Sequence, residues 1–436
     1  MMKQLLPLCL ISVLLLQGCT PAAGLPSPTP GASVTPSAAP SSAPAAPVPT
    51  AAPSPTPTPT PDPIRAQLDA MTDEQKVGQL LICGFEGTAA GEDAEDAIRR
   101  FQVGGVILFS RNAESAEQLA ALTNSLKALN QSDIPLFLSV DEEGGRVSRM
   151  PPELLDVPSP LTFGQAENLS LCSRLGRLLG DECAAFGLNM DFAPCLDIWS
   201  NPENTVIADR ALGTDAQTVA AAGSAVWEGI CDRDVIPVVK HFPGHGDTLT
   251  DSHTGLPVVE RSLEELRARE LLPFAEAIRR GVPAIMVGHI LETGIDPELP
   301  ASLSPKVVDS LLRGEMGFDG VVVTDDLTMG AVSGTYSTGE AAVLAVEAGC
   351  DLLLVCHGAE PLAQARDALL SALRSGRISR ARLDESVLRI LTLKHTAGLS
   401  DKPVPAPDVE TLNAQVRALL ALLPPQSTEE VTPVAP

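Results

Sequence analysis

Histidines and carboxylates are concentrated between residues 240 and 253 of this 436-residue chain. Three histidines, one lysine and two aspartates occur there, among glycines that allow a ligand to approach the backbone closely. A histidine whose ring is oriented by a carboxylate can donate and accept protons near neutral pH, and Asp251 lies two residues before His253. We therefore predict that Asp251 and His253 form a general acid/base pair.

The same residue types are common zinc ligands, so a metal site is the alternative for this segment. The His-Glu-x-x-His spacing of many helical zinc sites does not occur in the sequence. Pro243 and the neighbouring glycines also disfavour a helix that would align the imidazoles on one face. The sequence therefore favours acid/base chemistry, and we expect neither a metal ion nor another cofactor.

A second candidate is the carboxylate pair Asp325 and Asp326, which follows the apolar run 320–324. In a parallel barrel, a residue directly after a strand lies at the barrel mouth, where a carboxylate could attack the anomeric carbon of a sugar. Neighbouring residues that leave a strand point in different directions. We therefore predict that Asp325 is a nucleophile and that Asp326 caps the following helix.

Two further segments, residues 141–149 and 208–210, combine carboxylates with guanidinium groups. Such groups on glycine-rich loops are suited to hydrogen bonding with sugar hydroxyls or an N-acyl group. A surface ion-pair network is the alternative, and it is the more frequent role of an isolated charged loop. The residue types alone leave both interpretations open.

Short apolar runs alternate with amphipathic segments between residues 64 and 400, which predicts eight buried strands joined by helices. The expected strands are residues 77–84, 105–109, 136–140, 187–192, 235–240, 284–287, 320–324 and 351–355. The clearest expected helices are residues 115–129, 169–186, 215–232, 262–280 and 305–316. Because polar candidates follow several different strands, we predict a single α/β domain, a (β/α)8 TIM barrel, rather than an open doubly wound sheet.

The two ends of the chain differ in composition from this central part. Residues 1–19 hold a lysine, an apolar run and a final Leu-Gln-Gly-Cys, which predicts a lipoprotein signal peptide with lipidated Cys19; an ordinary secretory signal is the alternative. Residues 20–63 are almost entirely Pro, Ala, Ser, Thr and Gly and predict a disordered tether. Residues 401–436 are expected to hold a short helix at 409–423 and a disordered tail.

These features predict a protein that is exported and attached to the extracytoplasmic face of the cell membrane through its lipid alone. The formal net charge of −25 argues against nucleic acid as a partner, because its phosphates would be repelled. Cysteines within apolar runs, such as Cys195, Cys350 and Cys356, are expected to be buried thiols, and disulfide formation among the cysteines stays open.

Four motifs closely resemble those of glycoside hydrolase family 3 in sequence and occur in the same order. They are Asp-Glu-Glu-Gly-Gly-Arg-Val at 141–147, Lys-His-Phe-Pro-Gly-His-Gly-Asp-Thr at 240–248, Asp-Ser-His at 251–253 and Thr-Asp-Asp-Leu at 324–327. Over residues 64–400 the chain resembles the bacterial β-N-acetylglucosaminidases of that family, which act on peptidoglycan-derived sugars. The resemblance implies a barrel and a retaining enzyme that removes terminal β-N-acetylhexosamine. We expect the protein to be a monomer.

The resemblance also implies roles for individual residues. Asp325 would form the covalent glycosyl intermediate, His253 would be the acid/base and Asp251 its orienting partner. The implied substrate contacts are Asp141, Arg149, Arg210, Lys240 and His241.

The chain departs from the family in two respects. Many members carry a second domain that supplies an acidic acid/base, and we expect no such domain here, which supports the histidine version of the mechanism. Glutamine often stands where this sequence has Glu142. Two alternative functions remain open: a glycoside phosphorylase on the same scaffold, and a lipoprotein that binds saccharides without cleaving them.

Overall fold

A closed barrel of parallel strands forms the centre of the computed structural model, which describes residues 62–248, 251–252 and 255–424. The strands of the described ranges, numbered along the chain, are β1 (Leu81–Cys83), β2 (Gly105–Ile107), β3 (Phe137–Val140), β4 (Met190–Asp191), β5 (Ile236–Phe242), β6 (Val258–Ser262), β7 (Ala284–Val287), β8 (Leu291–Gly294), β9 (Val321–Asp326) and β10 (Leu352–Val355). The barrel runs β1-β2-β3-β4-β5-β7-β9-β10 and closes on β1, while β6 and β8 form a separate two-stranded sheet. The predicted (β/α)8 barrel is confirmed, and the open doubly wound sheet is wrong.

Strand β9, which carries Asp325, is held in register by its neighbour β7. Strand β7 pairs residue for residue with β9, from Ala284 with Val321 to Val287 with Thr324. Every residue of β5, β7 and β10 is buried, because the barrel interior covers one face of each strand and the helices cover the other. The uniform apolar runs of the sequence follow from this burial on both faces.

Helices surround the barrel. The α-helices are α1 (Pro63–Ala70), α2 (Asp73–Gln79), α3 (Glu92–Glu95), α4 (Ala116–Leu129), α5 (Pro160–Gln165), α6 (Leu169–Ala185), α7 (Ala216–Cys231), α8 (Leu263–Ala268), α9 (Leu271–Arg280), α10 (Gly330–Ser333), α11 (Thr338–Ala348), α12 (Ala359–Ser375), α13 (Arg380–Thr396) and α14 (Val409–Leu420). Two π-helices cover Asp96–Arg100 and Lys306–Glu315, and short 3₁₀ turns cover Ser110–Asn112, Ala208–Arg210 and Ala301–Leu303. Four of the five predicted helices are found within about one residue of their expected ends.

The fifth predicted helix, residues 262–280, is divided into α8 and α9. The predicted capping box of Ser262 and Glu265 is present, and Gly281 ends α9 in a left-handed conformation. Between them the backbone of Arg269 leaves the helical region. Pro273 explains the break, because a proline ring clashes with the carbonyl four residues earlier, which is that of Arg269.

Two observed strands begin well after their predicted starts. Residues 73–79 form helix α2, which begins with a capping box between Thr72 and Gln75, so only residues 81–83 of the predicted 77–84 are strand. Val77 is buried although it belongs to this helix. A short apolar run in a sequence does not distinguish a buried helix from a buried strand. Strand β4 begins only at Met190, because the Asn189 side chain accepts the Leu138 N–H and replaces a ladder bond.

The ends of the chain lie largely outside the described residues. These undescribed parts include the predicted signal with Cys19, the tether up to residue 61 and the tail from residue 425. Helix α1 begins at Pro63, the last residue of the predicted tether, and α14 corresponds to the helix predicted at 409–423. Among the described helices, none has the length and apolar character needed to cross a membrane.

All seven cysteines of the described ranges are free thiols, and six of them are buried. Cys195, Cys350 and Cys356 are at most 2% exposed. The expectation that they are buried thiols is therefore confirmed.

Candidate active site

A cavity of about 480 Å³ lies at the C-terminal ends of the barrel strands. Its lining contains every predicted site residue that the structure describes, namely Asp141, Arg149, Arg210, Lys240, His241, Asp251 and Asp325. They come from the ends of β3, β5 and β9 and from the loops after β3, β4 and β5. The barrel therefore brings together side chains that are up to 184 positions apart in the chain, from Asp141 to Asp325.

Asp325 is half-buried and lies at the end of β9. Its Oδ1 atom accepts a hydrogen bond of 2.8 Å from the Asp326 N–H. Burial raises the pKa of this carboxyl, but the imidazoles of His289 and His241 and this N–H outweigh burial, so the net pKa is lowered. Asp325 is therefore ionised at neutral pH, as a nucleophile must be.

Asp326 is turned into the protein instead. Its oxygens accept hydrogen bonds from the Thr328 N–H at 3.0 Å, the Thr328 hydroxyl at 2.6 Å and the Cys356 N–H at 3.0 Å. The following helix α10 has no side-chain cap, so the prediction that Asp326 caps it is wrong. Asp326 also belongs to the cavity lining, but its oxygens are engaged in closing the turn after β9 and in fastening that turn to the end of β10, so Asp325 is the better placed of the two to react.

Lys240 and Arg210 are held by a shared carboxylate, Glu143. The Lys240 ammonium lies 2.7 Å from Glu143 and 2.6 Å from Asp141, and Arg210 donates two hydrogen bonds to Glu143 at 2.8 and 2.7 Å. Burial raises the pKa of Glu143, but the Arg210 and Lys240 cations outweigh burial and hold it well below its usual range. Glu143 belongs to the motif at 141–147, but the sequence alone does not indicate this role.

His241 is oriented by Asp197, which sequence reasoning missed entirely. The His241 Nδ1 atom lies 2.6 Å from Asp197 Oδ2, and Asp197 Oδ1 accepts the His245 N–H at 2.6 Å. Burial raises the pKa of Asp197, but His241 outweighs it and the net pKa is lowered. The sequence feature that could have indicated Asp197 is its position as a charged residue shortly after the apolar strand β4.

Cys195, Asp197 and His241 form a group whose potential metal-binding atoms lie within 4.8 Å of one another. The Cys195 thiol donates to Asp197 at 2.9 Å, and burial raises the pKa of this thiol well above its usual value. The hydrogen bonds that join Cys195 and His241 to Asp197 account for the short distances between these three side chains. The expectation of a site without metal stays a prediction.

The predicted acid/base His253 lies outside the described residues, together with Thr254 and residues 249–250. Asp251 is half-buried and lines the cavity. The next residue, Ser252, accepts the Ala331 N–H at 3.1 Å, which ties the loop to the start of α10. The pairing of Asp251 with His253 stays a prediction, although Asp251 itself lines the cavity.

The charged residues at 208–210 have two different roles, and each role matches one of the two interpretations that the sequence left open. Asp209 forms a half-exposed ion pair with Arg146 at 2.8 Å, as expected of a surface ion-pair network. Arg210, by contrast, is mostly buried and lines the cavity, within 3.5 Å of the His241 ring. Arg149 lines the cavity as well, and its N–H donates to Glu142 at 2.8 Å.

Comparison with known proteins assigns the family. Residues 72–393 match the Glycosyl hydrolase family 3 N terminal domain. Beta-hexosaminidase LpqI of Mycobacterium tuberculosis is 35% identical over 333 residues, which are 74% of this chain and 83% of that protein. A glycoside hydrolase family 3 β-N-acetylglucosaminidase from Paenibacillus sp. str. FPU-7 superposes with a TM-score of 0.76 at 45% identity, covering 80% of this chain and 68% of that one. The chain belongs to glycosyl hydrolase family 3 and is a glycosidase.

Beta-glucoside phosphorylase BglX is also similar in structure. It has a TM-score of 0.74 at 26% identity, and the match covers 82% of this chain and 66% of that one. The barrel is therefore shared with a protein named for transfer to phosphate rather than to water.

Proposed function

We propose that this protein is a retaining exo-glycosidase that removes terminal β-linked N-acetylhexosamine, chiefly β-N-acetylglucosamine, through a covalent bond to Asp325. The observation that supports this most directly is an ionised Asp325 facing a cavity lined by Asp141, Lys240 and Arg210. The names of the hexosaminidase relatives support the choice of sugar.

In the first step, an Asp325 oxygen attacks the anomeric carbon and the bond to the leaving oxygen breaks. Protonated His253 gives its proton to that oxygen, so the aglycone leaves as an alcohol. In the second step, neutral His253 takes a proton from water, whose oxygen displaces Asp325 and releases the sugar. Asp251 would hold the His253 ring in one tautomer and stabilise its charged form.

Substrate positioning falls to the charged groups around Asp325. Burial lowers the pKa of Lys240, but the carboxylates of Asp141 and Glu143 outweigh burial and raise it. Lys240 therefore stays protonated and can donate to a sugar hydroxyl. Asp141 can accept from another hydroxyl while it holds Lys240. Arg149, Arg210 and His241, which also line the cavity, would supply further donors.

The natural substrate and the place of action are part of this proposal. We propose peptidoglycan-derived saccharides as substrates and an extracytoplasmic enzyme anchored through lipidated Cys19. The support is the sequence of residues 1–19 and the resemblance to bacterial enzymes that act on such sugars.

Phosphorolysis is the second candidate, since a phosphorylase shares the fold. A neutral histidine as acid/base would not repel a phosphate anion, whereas a carboxylate would. The two functions differ in the acceptor that releases the sugar from Asp325, so they differ in the product: free sugar or sugar 1-phosphate.

The test compares aryl β-N-acetylglucosaminide with aryl β-glucoside as substrates of the purified protein, with and without phosphate. We expect aryl release from the N-acetyl substrate, little from the glucoside, and no acceleration by phosphate. Sugar 1-phosphate as the main product would establish phosphorolysis instead. Saccharide binding without any product would support the non-catalytic alternative.

A further inference from the structure

A second cavity of about 390 Å³ lies beside the loop that follows β3. Among the described residues, it has no lining residue in common with the active-site cavity. Its volume is within the range of small-molecule sites, which is about 300–1,000 Å³. Six of its ten described lining residues are apolar: Met150, Pro151, Pro152, Leu154, Leu155 and Val157.

The charged residues of this second cavity are all acidic. Glu142 and Glu182 are each 1% exposed, and Asp156 is exposed. The lining, as far as the structure describes it, includes no lysine, arginine or histidine. A cavity with three carboxylates and no basic group attracts cations and repels anions.

Glu182 has an oxygen that nothing in the described part of the chain satisfies. Its Oε2 atom is buried and lacks a hydrogen-bond partner. Burial raises its pKa well above the usual value, and the nearby carboxylates of Glu142, Asp191 and Asp181 raise it further. A buried acceptor without a donor costs free energy, so a bound donor at this position would be strongly favoured.

Glu142 contributes a second buried carboxylate. Its Oε2 atom accepts the Ser148 hydroxyl and the Arg149 N–H, both at 2.8 Å. Both bonds use the same oxygen, so Oε1 is left for a ligand. Burial raises the pKa of Glu142 to about 7, against the hydrogen bonds from Arg149 and Ser148, which shows that the described surroundings do not compensate its charge fully.

We infer that this second cavity binds an aliphatic ammonium ion, with the ammonium between Glu142 and Glu182 and the carbon chain against Met150, Leu154 and Val157. An ammonium supplies three donors and a positive charge where the protein offers acceptors only. The apolar wall favours an organic cation over a hydrated metal ion, because a metal ion would leave that wall against water. A free diamine and a lysine-type side chain share this chemistry.

The cavity is connected to the active site through one loop. Glu142 binds the Arg149 N–H, while the Arg149 side chain lines the active-site cavity. A ligand on Glu142 therefore lies one hydrogen bond away from a predicted substrate contact. The inference nevertheless concerns binding alone and does not depend on the proposed function.

Titration calorimetry on the full chain tests this inference with four probes: 1,5-diaminopentane, Nα-acetyl-lysine amide, 1-pentanol as a neutral control and CaCl2. We expect at least one of the two amines to bind, and neither pentanol nor calcium. Binding of diaminopentane alone would identify a free amine as the source, and binding of the lysine derivative alone a side chain. Failure of both amines, or tighter binding of calcium, would overturn the inference.

The matched variants are Glu182→Gln and Glu292→Gln. Glu292 is also buried, and both its oxygens lack partners among the described residues, but it does not line the second cavity. We expect Glu182→Gln to weaken amine binding about thirtyfold or more and Glu292→Gln to leave it unchanged. Equal binding by both variants would contradict the site. Asp156→Asn, at an exposed position, should weaken binding severalfold and keeps the test decisive if Glu182→Gln does not fold.

Discussion

Glu143 holds two of the cations of the candidate active site in place. It joins Lys240 and Arg210, which reach it from β5 and from the loop after β4. Removing one partner of a buried ion pair leaves an uncompensated charge, which typically costs about 3–5 kcal/mol. The two cations would then lose the common partner that fixes their distance from Asp325.

We predict that Glu143→Gln lowers the free energy of unfolding by about 3 kcal/mol and lowers kcat/KM by about 100-fold, because both cations are displaced. Urea unfolding and steady-state kinetics would measure the two effects. The control is Glu315→Gln, which removes an exposed pair with Arg267 and should cost about 0.2–1 kcal/mol without loss of activity. Equal effects of the two variants would contradict the role of Glu143.

The catalytic residues allow a more direct prediction. We expect Asp325→Ala to lower turnover by about 10⁴-fold or more and His253→Ala by about 10²–10⁴-fold, with unchanged unfolding midpoints. His395→Ala, on the exposed side of α13, should remain fully active. Aryl release and thermal unfolding measure both properties, and full activity of either catalytic variant would refute that residue's assignment.

Glu142 predicts a dependence of stability on pH. Its folded pKa of about 7 lies above the usual 4.5, so between these values the folded protein keeps a proton that the unfolded chain has lost. The side chain thus favours folding below about pH 4.5, and this contribution is lost as the pH rises through about 7. Glutamine keeps the accepting oxygen for Ser148 and Arg149 and carries no charge.

We therefore expect Glu142→Gln to stabilise the protein at pH 8 by up to about 3 kcal/mol and to have little effect at pH 4.5. Unfolding in urea at both pH values measures the difference. A gain of stability that is equal at the two pH values would contradict a raised pKa, and a loss at pH 8 would show that Glu142 is held as a carboxylate.

At the scale of single residues, the sequence could indicate which side chains reach the cavity but not what holds them. Asp325, Lys240 and His241 were recognisable because they end apolar strands. Asp197 and Glu143 were not, because each acts through a residue far along the chain, 44 positions away for Asp197 and His241. Such pairs depend on loops that meet only after the barrel has closed.

Among the structural elements, β10 is fixed by an ion-pair cluster at its N-terminal end. Asp351 is completely buried and accepts the Val322 N–H at 3.0 Å and the Ser386 hydroxyl at 2.6 Å. It also pairs with Arg313 and lies 3.3 Å from Arg389. These contacts tie β9, β10 and the helix α13 together at the end of the barrel opposite the candidate active site.

We predict that Asp351→Asn lowers the free energy of unfolding by about 3–5 kcal/mol and leaves kcat/KM of the folded protein unchanged. The stability cost follows from buried guanidinium groups that lose their counter-charge, and the unchanged activity follows from the distance between this end of the barrel and the cavity. Asp367→Asn, at an exposed carboxylate that pairs with the partly buried Arg366, is the control. A selective loss of activity in Asp351→Asn would contradict a purely structural role.

Element boundaries were predictable where burial and turn chemistry agree. Strand β7 has the predicted ends, because Gly281 and Gly288 flank a run that is buried on both faces. The prediction failed at residues 73–79, where a capping box starts a helix inside an apolar pattern. It failed again at Arg269, where a single proline divides a helix whose amphipathic pattern continues.

For the whole molecule, the closed barrel follows from the number and uniform burial of the strands, whereas cellular placement depends on residues 1–61, outside the described ranges. We predict that Cys19→Ser moves the protein from the detergent phase to the aqueous phase in Triton X-114 partitioning, because a lipid chain is the expected anchor. The variant should retain aryl-releasing activity. If the protein that keeps Cys19 also partitions into the aqueous phase, an ordinary secretory signal would be favoured.

Mass spectrometry can detect the proposed covalent bond between Asp325 and the sugar directly. His253→Ala should still be glycosylated by an aryl β-N-acetylglucosaminide with a good leaving group, because that step then needs no proton, while release to water is slow. We predict an intact mass increased by one N-acetylhexosamine residue, located on the peptide that contains Asp325. A turning-over enzyme that never carries this adduct, or carries it on another residue, would contradict the mechanism.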